Sequence, residues 1–121
     1  MKENNVRDKS FLFAVRIVNL SKYLNTKKKE FILSKQVMRS GTSVGAMVRE
    51  AEHSESKNDF IHKLAIAQKE INETLYWLEL LQATEYINNE EFDSINCDAV
   101  ELIKIITTII KNTKAKIEVS G

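Results

Sequence analysis

The sequence contains almost nothing that interrupts a helix. Its 121 residues include no proline and only three glycines, the two residue types that most strongly end or weaken helices. No segment alternates apolar and polar residues between turn signals, as strands do. With 43% hydrophobic and 29% charged residues, the chain has the composition of a folded domain. We therefore expect a single all-α domain over residues 1–121.

Other absences exclude whole classes of protein. The single cysteine, Cys97, excludes an internal disulfide framework and is typical of a reducing cytosol. No run of about eighteen apolar residues exists, so no segment is expected to span a membrane. The first ten residues lack the apolar segment of a secretory signal peptide. We expect a cytoplasmic protein with no membrane partner.

Apolar residues recur at steps of three and four along four segments, and this spacing predicts four amphipathic helices. Their expected ranges are 8–24, 30–53, 56–85 and 89–112, with a frayed tail over 113–121. The short turns between them predict an antiparallel up-down-up-down four-helix bundle. In the first helix, Phe11, Val15 and Val18 are expected to widen the buried face formed by Phe13, Ile17, Leu20 and Leu24.

The second predicted helix carries small residues where a solvent-facing helix would carry Lys and Glu. They form one run: Ser40, Gly41, Thr42, Ser43, Gly45 and Ala46. Glycine costs about 1 kcal/mol relative to alanine in a helix interior. We expect close packing of neighbouring helices, on one side or more, to compensate for this cost.

Charge is distributed unevenly along the chain. Residues 1–69 contain 14 Lys or Arg and 7 acids, whereas residues 70–103 contain 9 acids and no Lys or Arg. In an up-down bundle the basic and acidic groups lie on different sides of the same end. The basic group is Lys22, Lys27, Lys28, Lys29 and Lys35. The acidic group is Glu79, Glu85, Glu90, Glu91 and Asp93.

A surface that is basic on one side and acidic on another complements a copy of itself by rotation. Such head-to-tail contacts close into rings when the rotation permits. Tyr76, Trp77 and Leu80 lie off or beside the apolar seam of the third helix, and they are the candidate apolar part of a subunit interface. The basic group has two interpretations, a nucleic-acid contact through phosphates or a solvated turn.

One charged cluster on the predicted hairpin of helices two and three is informative. Counting from the turn near residue 55 places Arg39 within reach of Glu70 and Glu73. The cluster is interpreted as a structural polar pair at the core edge, in preference to a ligand-binding site.

The sequence offers no convincing catalytic or metal site. Glu50 and His53 match the Glu-x-x-His spacing of di-iron bundles, and Asp59 and His62 resemble a second copy. However, His62 points away from the apolar seam, and at that level the fourth helix offers Lys111 and Lys114 instead of carboxylate ligands. We expect no catalytic residue, no metal and no cofactor. A cryptic enzyme or metal protein is the least favoured hypothesis.

Several motifs together resemble one known family. They are Gln36-Val-Met-Arg-Ser-Gly-Thr-Ser-Val-Gly-Ala46, Glu50-Ala51, Ser56-Lys57-x-x-Phe60, Leu64-x-x-Ala67, Glu70-x-x-Glu73 and Trp77-Leu78. This pattern resembles the four-helix-bundle proteins encoded in intervening sequences of bacterial 23S ribosomal RNA genes, often labelled S23 ribosomal proteins. The resemblance covers nearly the whole chain and is most specific from Leu33 to Leu81. Met47 departs from the family, which commonly has Asn there.

The resemblance implies a bacterial cytosolic protein that assembles as a ring, commonly a pentamer, with no established enzymatic activity. It also implies kinship with the accessory protein of diversity-generating retroelements, which binds a reverse transcriptase and nucleic acid. Our main hypothesis is a non-enzymatic oligomeric binding module that contacts RNA or a nucleic-acid-handling protein. The alternative is a purely structural assembly whose partner is another protein.

Overall fold

The computed structural model describes residues 2–120, which form four helices. These are α1 (Lys2–Thr26), α2 (Leu33–Ala51), α3 (Lys57–Ala83) and α4 (Asn89–Ser120). Each helix packs against its neighbours in chain order, and α1 closes the square by packing against α4. The predicted all-α, up-down-up-down four-helix bundle is confirmed, and no strand occurs within residues 2–120.

The core contains side chains from all four helices. Phe13, Val44, Leu78 and Leu102 are almost fully buried, one from each helix. Burial of such side chains is the main favourable term in folding, at roughly 25 cal/mol per Å² of apolar surface. The predicted 3–4 spacing places them on the inner side of each helix.

A buried polar contact fixes the level of α2 against α3. Ser40 Oγ lies 2.9 Å from Thr74 Oγ1, which lies 2.8 Å from the backbone carbonyl oxygen of Glu70. Both hydroxyl groups belong to fully buried residues. A shift of α3 along α2 would break this contact between the helices and leave each hydroxyl only a backbone carbonyl of its own helix.

The small residues of α2 allow α1 to approach closely. A Cβ atom on Gly41 would lie 2.7 Å from Ile17 Cγ1, and one on Gly45 would lie 3.3 Å from the carbonyl oxygen of Ser10. A larger side chain at Gly41 would therefore overlap α1. The close packing predicted from the sequence is confirmed for this side of α2.

The predicted start and width of α1 were wrong. The helix begins at Lys2 rather than at residue 8, since Val6 extends the apolar stripe and is buried. Phe11 and Val15 do not widen the buried face, because they are 53% and 42% exposed. Helix α2 packs closely against the side of α1 that carries Ser10 and Ile17. Phe11 and Val15 therefore lie at the outer edge of the contact between the two helices.

The start of α2 also differs from the prediction. Glu30 is not the first helical residue; it precedes α2 and caps it. Its carboxylate oxygens accept hydrogen bonds from the backbone N–H groups of Ser34 at 2.8 Å, Leu33 at 2.9 Å and Ile32 at 3.1 Å. Lys29, with φ of 55°, turns the chain into this position. The cap satisfies donors that the first turn of a helix leaves unpaired.

The side chains of Ser56 and Asp59 both accept backbone hydrogen bonds at the N-terminus of α3. Ser56 Oγ accepts a hydrogen bond from the backbone N–H of Asp59 at 3.0 Å. The Asp59 carboxylate accepts from the backbone N–H of Glu55, not from that of Ser56. The helix ends at Ala83, two residues earlier than predicted.

Helix α4 is longer than predicted. Asn88 and Glu91 form a reciprocal capping box, each side chain accepting from the other's backbone N–H at 2.8 Å. The helix continues to Ser120, so the frayed tail was wrong for residues 113–120. No Pro or Gly precedes residue 121 in this stretch, and Thr113 and Ile117 remain half-buried. Residue 121 lies outside the described residues.

Candidate functional site

A charged cluster lies along the outer edge of α2 and α3. Arg39 Nη1 lies 3.2 Å from Glu70 Oε2, and Arg39 Nη2 donates to Glu73 Oε2. The same Glu73 oxygen accepts a hydrogen bond from Trp77 Nε1 at 2.9 Å. The structure thus brings Arg39, Glu70 and Glu73 together. The Arg39 side chain is 50% exposed, so the cluster lies at the boundary between core and solvent.

Replacing Arg39 with Ala is expected to lower the free energy of unfolding by about 1 kcal/mol, the upper end for exposed ion pairs. The change leaves two neighbouring carboxylates without their shared cation. Urea unfolding followed by circular dichroism measures the effect. The control is Lys69→Ala, which removes an exposed α3 cation that forms no ion pair among the described residues. Equal stability of the two variants would contradict a stabilising role for Arg39.

The three candidate interface residues of α3 differ in accessibility. Tyr76 is 56% exposed, whereas Trp77 and Leu80 are half-buried. The Tyr76 and Trp77 rings meet edge to face, with centroids 5.0 Å apart and planes at 67°. Of the three residues, Tyr76 therefore has the most exposed surface for a partner.

The α1–α2 connection, residues 27–32, and the helix ends beside it carry the predicted basic group. All five lysines are exposed: Lys22, Lys27, Lys28, Lys29 and Lys35. The acid within this stretch is Glu30, whose carboxylate is held against the start of α2. Phe31 and Ile32 are also exposed, at 60% and 76%. The acidic residues Glu79, Glu85, Glu90, Glu91 and Asp93 are exposed around the C-terminal end of α3 and the α3–α4 turn.

The residues with metal-ligand spacing serve other contacts. Glu50 Oε1 lies 3.1 Å from Lys63 Nζ, and this hydrogen bond and charge raise the pKa of Lys63 above its usual value. Asp59 takes part in capping α3, and His53 and His62 are exposed. Among residues 2–120, no three His, Cys, Asp or Glu side chains are grouped to hold a metal ion.

A surface groove between α1 and α2 was not recognised from the sequence. We call it the α1–α2 groove, and it is lined by Phe11, Ala14, Thr42, Gly45, Ala46 and Arg49. The Arg49 guanidinium lies 5.4 Å from the Phe11 ring centroid. The available signal was that Phe11 and Val15 lie out of phase with the Phe13 and Ile17 stripe.

Comparison with known proteins identifies relatives of this bundle. Residues 2–108 match the family model described as 23S rRNA-intervening sequence protein. No curated protein matches the sequence. A crystal structure from Bacteroides thetaiotaomicron VPI-5482, of a protein with unknown function from the S23 ribosomal protein family, has a TM-score of 0.91 and 60% sequence identity. The match covers 92% of this chain and 99% of that one.

None of the helices in the described part of the chain is long and apolar enough to cross a membrane.

Proposed function

Because this chain belongs to the 23S rRNA-intervening sequence protein family, we propose that it is a non-enzymatic oligomeric module that contacts RNA. The observation that carries the proposal is the exposed lysine group around the α1–α2 connection. The proposal assigns the protein no catalytic residue, metal or cofactor.

The local structure supports a phosphate contact at this connection. Lys27, Lys28 and Lys29 are consecutive and exposed, and Glu30 directs its carboxylate towards the backbone of α2. The acid therefore adds little repulsion at the surface where the lysines point. Lysine–phosphate contacts release counterions from the nucleic acid, which makes binding depend strongly on salt. The acidic turn of α3 and α4 adjoins the lysine group, since Glu85 and Glu91 line a surface pocket with Lys28, and it limits how far RNA can extend in that direction.

Charge reversal of the lysine triplet should abolish the contact. The test variant is Lys27→Glu/Lys28→Glu/Lys29→Glu. The matched control, Lys111→Glu/Lys114→Glu/Lys116→Glu, makes the same charge change at exposed positions of α4. With a single-stranded RNA oligonucleotide, the plot of log K against log salt should lose about 2 units of slope in the test variant, at roughly 0.7 per phosphate contact. The control should keep most of the wild-type slope.

Two results would contradict RNA contact through this surface. One is equal loss of binding in both triple variants, which would indicate a net-charge effect. The other is an absence of binding by the wild-type protein at low salt. That second result, in a protein that still assembles, would favour the alternative of a purely structural or protein-interaction assembly.

The proposed assembly is a head-to-tail ring, and the family resemblance favours five copies. The lysine group and the acidic turn lie at the same end of the bundle, where Lys28 lines a surface pocket with Glu85 and Glu91 of its own chain. In the proposed ring the remaining exposed lysines meet the acidic turn of the next copy. Light scattering with size exclusion at moderate salt measures the mass relative to the 13.9 kDa chain. A monomer, or a dimer built on one shared two-fold patch, would contradict the ring.

A further inference from the structure

Several exposed apolar side chains lie on the outer side of α1 and α2. Within residues 5–119, eight large apolar side chains are exposed, and three of them lie beside the contact between these two helices: Phe11, Val15 and Met38. Phe11 lines the α1–α2 groove, Val15 lies one turn along α1, and Met38 lies one turn along α2 from Thr42. Contiguous exposed apolar surface marks sites of protein interaction.

We propose that this face receives the outer side of α3 from a second copy of the chain, with Tyr76 of that copy packing on Met38 and Val15. The inference rests on the proposed head-to-tail assembly and identifies the two surfaces that meet. One surface is the outer α1–α2 face, formed by Phe11, Val15, Lys35 and Met38. The other is the outer α3 row, formed by Tyr76 and Glu79.

The internal contacts of the bundle set the height of these residues. Thr74 touches Ser40, so Tyr76, two residues further along α3, is level with Met38, two residues earlier on the antiparallel α2. Ile17 packs on Gly41, and Ser21 Oγ lies 3.4 Å from the carbonyl oxygen of Ser34. Met38 therefore lies between the levels of residues 17 and 21 of α1, with Val15 about one turn away.

Equal height matters because the subunits of a cyclic assembly are related by rotation alone. Where the bundles run along the ring axis, residues at one level in one copy meet residues at the same level in the next. Tyr76 is the large apolar side chain exposed on α3, and it reaches the level of Met38.

The charges of the two surfaces are complementary at the same register. Glu79 lies three residues beyond Tyr76, and Lys35 lies three residues before Met38, so the two are also level. Both are exposed, and neither forms an ion pair within the described residues, where Arg7 and Arg39 already pair with Glu52 and with Glu70 and Glu73. Complementary charges at this register favour the head-to-tail contact over one between two identical faces.

Cysteine cross-linking tests which surfaces meet. The Met38→Cys and Tyr76→Cys variants, each in a Cys97→Ser background, are purified separately. They are then mixed, incubated until their subunits have exchanged, and oxidised with diamide. We expect disulfide-linked dimers in the mixture and few in either protein alone, because a head-to-tail contact brings position 38 only to position 76. Dimers formed by a single variant alone would indicate a two-fold contact and would overturn the inference.

Two substitution tests complement the cross-link. Met38→Glu should dissociate the assembly into single chains. Val119→Glu, at an exposed apolar position of α4, should leave the assembly intact. Lys35→Glu and Glu79→Lys should each raise the dissociation concentration about tenfold, and the double variant should restore it. Circular dichroism confirms that each variant is folded.

The results separate this inference from the proposed assembly. If the wild-type protein is monomeric, both fail. If it assembles but Met38→Glu has no effect and positions 38 and 76 do not cross-link, the assembly stands and the inference is overturned. If Met38→Glu disrupts assembly while position 38 links only to itself, the face is a two-fold contact rather than the one proposed.

Discussion

Gly41→Leu is expected to destabilise the bundle by about 3 kcal/mol, the upper part of the usual range for an overpacked core. The added Cβ alone would lie 2.7 Å from Ile17 Cγ1 and 2.9 Å from Ile17 Cγ2. A leucine adds three more carbon atoms in the same direction. The gain in helix propensity on replacing glycine, about 1 kcal/mol, offsets only part of this cost. Urea unfolding, with its midpoint and slope, measures the difference.

Two further variants make this result specific. Ile17→Ala/Gly41→Leu should be less destabilised than the sum of its single changes, because the shorter side chain leaves room for the new one. Ala115→Leu, at an exposed position of α4, should unfold close to the wild-type midpoint. An unchanged midpoint for Gly41→Leu would show that Gly41 does not face α1.

Glu30→Ala is expected to cost about 2 kcal/mol, the upper end for loss of a helix cap. A cap usually satisfies one backbone donor, whereas this carboxylate accepts from three N–H groups and is itself buried. Its charge also lies at the N-terminus of α2, where the helix dipole favours an anion. Thermal unfolding followed by circular dichroism measures the loss.

Matched variants separate the charge from the hydrogen bonds. Glu30→Gln retains one acceptor oxygen and should lose less stability than Glu30→Ala. Glu55→Ala removes an exposed acid from the next turn and should melt close to wild type. If Glu30→Ala and Glu55→Ala melt together, the cap contributes nothing measurable.

The features predicted correctly depend on local spacing. The steps of three and four through Phe13 and Ile17 specify a helix and its inner side without reference to any other helix. The Arg39 cluster was placed by counting residues back from the turn, which works because two antiparallel helices advance at the same rise per residue. The polar contact of Ser40 with Thr74 follows the same register, but a hydroxyl pair carries no pattern that distinguishes it in a sequence.

The errors concern distances between helices and the backbone of one connection. The exposure of Phe11 and Val15 depends on how closely α2 approaches α1, and Gly41 and Gly45 set that approach from another helix. The α1–α2 groove was missed for the same reason. Glu30 has good helix propensity, so its position outside the helix depends on the left-handed turn at Lys29. Neither the distance between two helices nor the backbone conformation of a connection is encoded in the periodicity of a single segment.

The unequal lengths of the helices give the proposed ring two unlike rims. Helix α4 has 32 residues and α2 has 19, and no side chain of residues 111–119 is buried. All subunits of a cyclic assembly point the same way, so every α4 would project from the rim opposite the lysine-bearing connections. That rim would be a collar of helix ends bearing Lys111, Lys114 and Lys116, whereas the other would alternate basic connections with acidic turns. An RNA strand that entered such a ring would meet lysines at one opening and alternating basic and acidic groups at the other. The two openings of the ring would therefore not be equivalent.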